Sequence, residues 1–313
     1  MSKRRKKSNF KDIIILVISI ISAIIVYFGG NLSLKNETEN QNVIAKDPTF
    51  SKEDVTDEFL KIYFLDVGQA DSTLIINNNQ TMLIDAGNNE DGNLIVEFIK
   101  SLGTEKIDYL VGTHAHEDHI GGMDDIINNF NIGTVYLPYT TEKTTTTKTF
   151  EDVLDSLIAK NLSITTANIG DKFTLGNTNC EIMYVDNSEP EDTNDQSICI
   201  RLELKNESFL FMGDASGKVE KARNWPQTNV LKVAHHGSKT STSKEFLKQV
   251  KPQIAIISVG KDNSYKHPSE QVLERLESIK AKIYRTDELG TILLISDGDS
   301  NTVEKIKTNT DGN

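Results

Sequence analysis

Cysteine is almost absent: Cys180 and Cys199 are the only two in 313 residues. That excludes a disulfide-dense scaffold. Neither lies in a C-x-x-C or a Cys-His arrangement, which argues against a thiol nucleophile; whether the two bridge or stay as free thiols is left open by their spacing. The chain has no G-x-S-x-G, no G-x-x-x-x-G-K-[ST] and no G-x-G-x-x-G after a strand, so a serine-hydrolase elbow, a P-loop and a dinucleotide fingerprint are unsupported. It has no solenoid repeat. Basic side chains are scarce after the first dozen residues. Residues 1–12 hold six Lys/Arg and one acid, a local charge of +5, so the remaining 301 residues carry −17 of the net −12. A surface that acidic has no general attraction for a polyanion. A bound metal can still reverse the field locally, so nucleic acid remains open as a substrate.

What is present begins with an apolar run. Residues 13–28 carry no charge, and with Gly29 and Gly30 the run reaches 18 residues, close to the shortest spanning helix. The basic cluster before it orients the segment, positive side in. The expectation is a basic cytoplasmic tail at 1–12, an uncleaved signal anchor at 13–30, a polar linker at 31–57, a catalytic domain at 58–300 outside the membrane, and a polar tail at 301–313; a cleaved signal is the alternative. No protein partner can be inferred. Within the domain, β-rich runs are expected near 60–67, 73–76, 82–84, 109–111, 133–137, 180–185, 197–204, 208–212, 229–234, 253–259 and 289–295. Helical spacing is expected near 93–102, 122–129, 150–160, 215–223, 243–250 and 269–280. The mixture predicts an α/β (α+β) layered domain. The Thr-rich stretch 140–149 reads as an exposed loop.

The six histidines carry the chemistry: His114, His116, His119, His235, His236 and His267. Three of them fall in Thr113-His114-Ala115-His116-Glu117-Asp118-His119, after a buried strand and before a helix. Three imidazoles and a carboxylate so close together form a compact N/O ligand set for a borderline metal ion.

This motif resembles the metallo-β-lactamase fold superfamily, and further segments support the likeness in order along about 59–297. Asp66-Val67-Gly68-Gln69-Ala70-Asp71 resembles the D-V-G-Q-G-D segment of the branch formed by the extracellular domain of ComEC-type competence proteins and their free-standing relatives. The run ending Asp85-Ala86-Gly87 looks like the superfamily's first motif, an aspartate supporting the histidine loop. Gly213-Asp214 looks like the fourth, a carboxylate bridging two metals. His235-His236-Gly237-Ser238 looks like the fifth, and the segment from Ser258 to His267-Pro268 like the branch's closing segment. The resemblance implies a four-layer αββα fold, here with one N-terminal transmembrane helix. One departure is clear: no histidine lies between His119 and Asp214, where many members carry another ligand. Asn194 or Ser197 stands there and could bond substrate or a metal-held water.

Beside the resemblance, the residues suggest roles. His114 and His116 can meet one ion, Asp118 and His119 a second, with Asp214 between. Strand alternation places Leu231, Val233 and His235 on one face, so His235 is the expected last ligand, leaving His236 for the substrate. Asp118, His236 and His267 are the catalytic candidates, although His267, before a proline, equally fits a turn. Asp66, Asp71, Asp85, Asn194 and Ser197 are expected in support. Two divalent ions, Zn²⁺ or else Mn²⁺ or Fe, would generate a nucleophile from water. The expected function is a membrane-anchored, extracellular binuclear hydrolase of phosphodiesters, small or cell-envelope borne. The alternatives are a DNA nuclease in competence, a catalytically silent surface binding module, and a lactone or β-lactam hydrolase. Trp225 and Tyr265 are candidates for an aromatic cage around a choline head.

Overall fold

Strand alternation builds two cores on one sheet. In β1 (Leu60–Phe64), Ile62 and Phe64 point to one face while Tyr63 points to the other. The computed structural model describes residues 58–140, 146–188 and 190–306. The expected tail, anchor and linker at 1–57 lie outside the described residues, as do 141–145 of the Thr-rich stretch and 307–313 of the expected tail. All described residues fall in the second of two units of the chain, Lys46–Asn313. Among them, no helix is long and apolar enough to cross a membrane.

The first sheet continues with β2 (Thr73–Asn77), β3 (Gln80–Ile84), β4 (Lys106–Val111), β5 (Asn131–Leu137) and β6 (Ile164–Thr166). The second holds β7 (Lys172–Leu175), β8 (Thr178–Tyr184), β9 (Cys199–Leu204), β10 (Glu207–Phe211), β11 (Val230–Lys232), β12 (Ile254–Ile257) and β13 (Lys282–Arg285). The chain then returns to the first with β14 (Ile292–Ser296) and β15 (Asn301–Lys305). The orders are β15-β14-β1-β2-β3-β4-β5-β6 and β13-β12-β11-β10-β9-β8-β7. Between the sheets lies one apolar layer, with Ile62, Phe64, Met82 and Val111 facing Ile200, Phe209, Phe211 and Ile256. Phe64 and Phe211 stack across it, ring centroids 6.3 Å apart.

Each outer face is covered by helices. On the first sheet, α1 (Gly92–Ser101), α2 (Glu117–Ile120), α3 (Met123–Asn129) and α4 (Lys148–Ala159) bury Ile95, Ile99, Ile120, Ile126 and Val153 against Leu83 and Leu110. On the second, α5 (Gly217–Lys221), α6 (Lys244–Val250) and α7 (Glu270–Ser278) bury Val219, Phe246 and Val272 against Leu210 and Leu231. A last turn, α8 (Thr286–Leu289), precedes β14. This is the expected four-layer αββα arrangement. Within the Thr-rich stretch, Thr147 caps α4, its hydroxyl accepting from the Phe150 N–H at 3.2 Å. Cys180 and Cys199 are buried free thiols on β8 and β9.

The expected polar tail needs correcting. Asn301–Lys305 is β15, paired antiparallel to β14 from Ile292↔Lys305 to Ser296↔Asn301. Thr302 is buried, and the Asn301 amide donates to Glu207 on β10, which ties the edge of one sheet to the other. A chain ending at Ser300 should therefore melt lower by on the order of 2–8 °C in calorimetry, the loss of about 1–2 kcal/mol in a domain of this size. An unchanged melting temperature would show β15 to be dispensable.

Candidate metal centre

The centre forms where strand ends from both sheets meet. The parallel pair β3 and β4 supplies one wall. Just past β3, Asp85 takes a left-handed backbone (φ 60°) and turns its carboxylate under the following loop. Its Oδ1 accepts from the Thr113 N–H at 2.7 Å, and its Oδ2 from the Thr113 hydroxyl at 2.8 Å. His119 Nδ1 meets the same Oδ2 at 2.8 Å. With Nδ1 committed to that carboxylate, Nε2 is the atom left to ligate a metal once its proton is released, and it faces Asp214 Oδ1 at 3.3 Å. The histidine loop is also pinned by backbone: Ala86 N–H donates to His119 O at 2.6 Å, and Gly121 N–H to Gly87 O at 2.9 Å. A Cβ on Gly121 would stand 2.2 Å from the Asn88 carbonyl carbon, so only glycine permits this approach.

The parallel pair β10 and β11 supplies the opposite wall. Gly213 (φ 51°) swings Asp214 inward, and the Asp214 N–H donates to the Ser197 hydroxyl at 3.0 Å. Strand alternation ends at Lys232. His235 (φ 52°, ψ 47°) and His236 (φ 51°, ψ 23°) are both left-handed, so their side chains do not continue the alternation of β11. His236 turns inward. It is buried, its Nδ1 donates to Ser258 O at 3.0 Å, and its Nε2 lies 3.3 Å from Asp118 Oδ2 and 3.8 Å from Asp214 Oδ2. His235 sits at the rim, a quarter exposed, with Nε2 3.6 Å from Asp214 Oδ2.

Asp118, His119, Asp214 and His236 thus each offer a ligand atom, all within 4.8 Å of one another. His114 is buried beside them, its Nε2 3.0 Å from His116 Nδ1 and its ring 4.2 Å from that of His119. His119 Nε2 and Asp214 Oδ1 are buried without a hydrogen-bond partner despite their proximity. Two such orphaned donors, one imidazole and one carboxylate, are what a divalent ion satisfies. The residues fit a metal site: the quartet for one ion, with His114 and His116, in contact with each other next to it, as further imidazoles for a second. A further group, Asp71, Asp85 and His119, is also close enough to ligate. There Asp85 is spent on Thr113 and His119, and Asp71 on Lys232 at 2.8 Å, so this group braces the centre.

Charge is shared unevenly. Burial alone would push the His119 imidazole down, but Asp214 and Asp85 hold its proton well above the ordinary range. Burial would raise Asp214, but His119 and His236 pull it well below. Asp118 is likewise lowered against burial, by the His236 hydrogen bond and by His119. His114 falls well below the usual imidazole value through burial and the nearby His119. His267 is lowered to about 4 by burial and by His235 and stacks under Tyr265, centroids 5.7 Å apart.

Other expected residues lie around the centre. Asp66 is exposed and lines a groove of about 720 Å³ together with Asp118, Glu90, Asp91, Glu117 and Tyr265. Asn194 is buried in a 3-10 turn, its Oδ1 unpartnered, three residues before Ser197. Trp225 is not part of a cage: it is buried, and its indole N–H donates to Glu220 O at 2.9 Å. Three contributors escaped the sequence reading: Thr113, Ser258 and Lys232. The one signal for Lys232 is a charge inside the otherwise apolar run Val230–Val233.

The model of the "Metallo-beta-lactamase superfamily" matches residues 65–261. The chain is 28% identical over 256 residues to "ComE operon protein 3" of Bacillus subtilis, covering 74% of this chain and 32% of that protein. It is 31% identical over 234 residues to "Recombination protein 2" of Haemophilus influenzae, covering 73% and 28%. The chain thus spans about a third of the length of these relatives. Among solved structures it resembles the metallo-beta-lactamase fold protein YhfI from Bacillus subtilis, with a TM-score of 0.52 at 9% identity, over 76% of this chain and all of that one.

Two outcomes are expected from elemental analysis of the purified chain. Asp214→Ala should lose most bound transition metal, and His236→Ala more than His235→Ala. Because the metal-free His119 holds its proton above the ordinary imidazole range, metal uptake must release that proton. Retention should therefore weaken as pH falls, with the loss setting in above the ordinary imidazole range and not only within it. A chain that never holds metal at any pH would rule the centre out.

Proposed function

The chain belongs to the metallo-beta-lactamase superfamily, in its ComEC-type branch, and on that footing we propose that it hydrolyses phosphodiester bonds outside the membrane, tethered by its N-terminal apolar run. The observation that carries this reading is the quartet of Asp118, His119, Asp214 and His236, buried but for Asp118, with its two orphaned ligand atoms. With one divalent ion held by the quartet and a second by His114 and His116, Zn²⁺ or else Mn²⁺ or Fe would supply Lewis acidity and water activation near neutral pH.

The chain's own groups do the rest. Asp85 keeps the His119 proton on Nδ1 and the Nε2 lone pair inward. The Asp118 side chain is the quartet member that reaches solvent, 32% exposed against 3% or less for the others. It opens on the groove and is placed to take a proton from incoming water. His267, lowered to about 4, is neutral at physiological pH, so it offers substrate a hydrogen bond and no charge. The groove is lined by Asp66, Glu90, Asp91, Glu117 and Asp118, with neither Lys nor Arg in its wall. That favours a small diester over a long polyanion. A polynucleotide is the second reading, favoured by the likeness to a protein named for recombination.

The purified chain should turn over bis-p-nitrophenyl phosphate faster than DNA, and any DNA cleavage should fall little with added salt. His116→Ala should abolish both activities. Salt-sensitive, nanomolar DNA affinity would reverse the ranking. For topology, the basic residues ahead of the apolar run support an outward domain. Protease added to intact protoplasts should release a soluble fragment of near-domain size; a domain that survives until the membrane is opened would place it inside.

A further inference from the structure

Lys232 is an ammonium in the wrong solvent. Its side chain is 3% exposed at the end of β11, where Val230 faces the inter-sheet layer and Leu231 the helices. Its Nζ donates to Asp71 Oδ2 at 2.8 Å and to Val233 O at 3.3 Å. The other Asp71 oxygen has no hydrogen-bond partner and lies 3.6 Å from His236 Nδ1. A buried ion pair is a poor device for stability, because apolar residues of similar volume serve as well or better. Its place beside the metal centre suggests a different use.

That use follows from a charge inventory. Four carboxylates lie in or against the centre: Asp71, Asp85, Asp118 and Asp214. Asp85 accepts from an N–H, a hydroxyl and an imidazole, the pattern of an ionised carboxylate. Among the described residues, Lys232 is the only Lys or Arg paired with any of the four. Four negative charges and one positive leave −3, and with the histidines neutral as ligands and the bound water still protonated, two divalent ions would bring the loaded centre to +1. Without Lys232 the sum would be zero.

We infer that Lys232 sets the loaded centre one unit positive and so selects a singly charged anionic ester over neutral esters and lactams. This rests on the reading of the site as a metal-loaded diester hydrolase and deepens it: the acidic groove disfavours polyanions, and the buried centre asks for one negative charge. The charge acts through a partly dehydrated interior, where a unit charge is screened far less than at the surface.

The test is calorimetric binding of dimethyl phosphate, a monoanion, to the zinc-loaded full chain, with metal content measured on the same samples. Lys232→Met takes the centre to zero and should weaken binding on the order of tenfold or more while metal content holds. The double variant Asp71→Leu/Lys232→Met removes one charge of each sign, returns the centre to +1, and should bind within about threefold of wild type. Neutral trimethyl phosphate should bind all three alike. A folded double variant as weak as Lys232→Met would overturn the inference, since Lys232 would then act by positioning Asp71. So would equal affinity in all three. If Lys232→Met does not fold, Lys232→Gln takes its place, and the double variant decides by itself. Wild type that holds two metals yet neither binds dimethyl phosphate nor cleaves bis-p-nitrophenyl phosphate would instead overturn the diester reading.

Discussion

The buried carboxylate of Asp85 is the constraint on which the site depends. It sits at the end of β3 and is consumed by the segment that follows β4. Two neighbouring parallel strands are therefore locked at the ends where their loops begin, and the imidazole of His119 is aimed with the correct nitrogen free. Burying that carboxylate raises its proton affinity, with the His119 contact working the other way. Three hydrogen bonds are what make its desolvation tolerable.

Everything else in the centre is arranged around the same difficulty, negative charge out of water. Asp214 and Asp118 lean on His119 and His236, and Asp71 leans on Lys232. The metal-free chain is held by these internal pairs, and His119 and Asp214 remain imperfectly matched within it. Cations that satisfy the orphaned atoms would bind the folded chain more tightly than the unfolded one, so metal loading and folding stability are linked.

The sequence told more about the interior than about the margins. Strands flanked on both sides carry apolar residues on both faces, and all of the expected strands correspond to such positions. The four strands that periodicity missed, β6, β7, β13 and β15, are the four sheet edges. Their residues are half exposed, as in Ile164–Thr166 and Lys282–Arg285, so the period-2 signal fades. The histidine loop was legible because four candidate ligands, His114, His116, Asp118 and His119, fall within six residues. The choice between His235 and His236 was not, because alternation holds only while the backbone stays extended. Lys232 was visible as an oddity in an apolar strand, but its partner, Asp71, is 161 positions away in the chain. The supposed frayed tail failed for a related reason: a polar composition describes an edge strand as well as a disordered end.

The two consecutive left-handed histidines carry a consequence for how such a site persists. Each non-glycine residue held at φ near 50° costs on the order of 1 kcal/mol, which asparagine or glycine would largely recover. Selection for a sturdier fold alone would therefore replace His235 and His236, and selection for catalysis alone would keep them. The pair is a place where thermal robustness and chemistry are in direct competition. A thermostabilised descendant screened only by melting temperature would be expected to lose its activity here first.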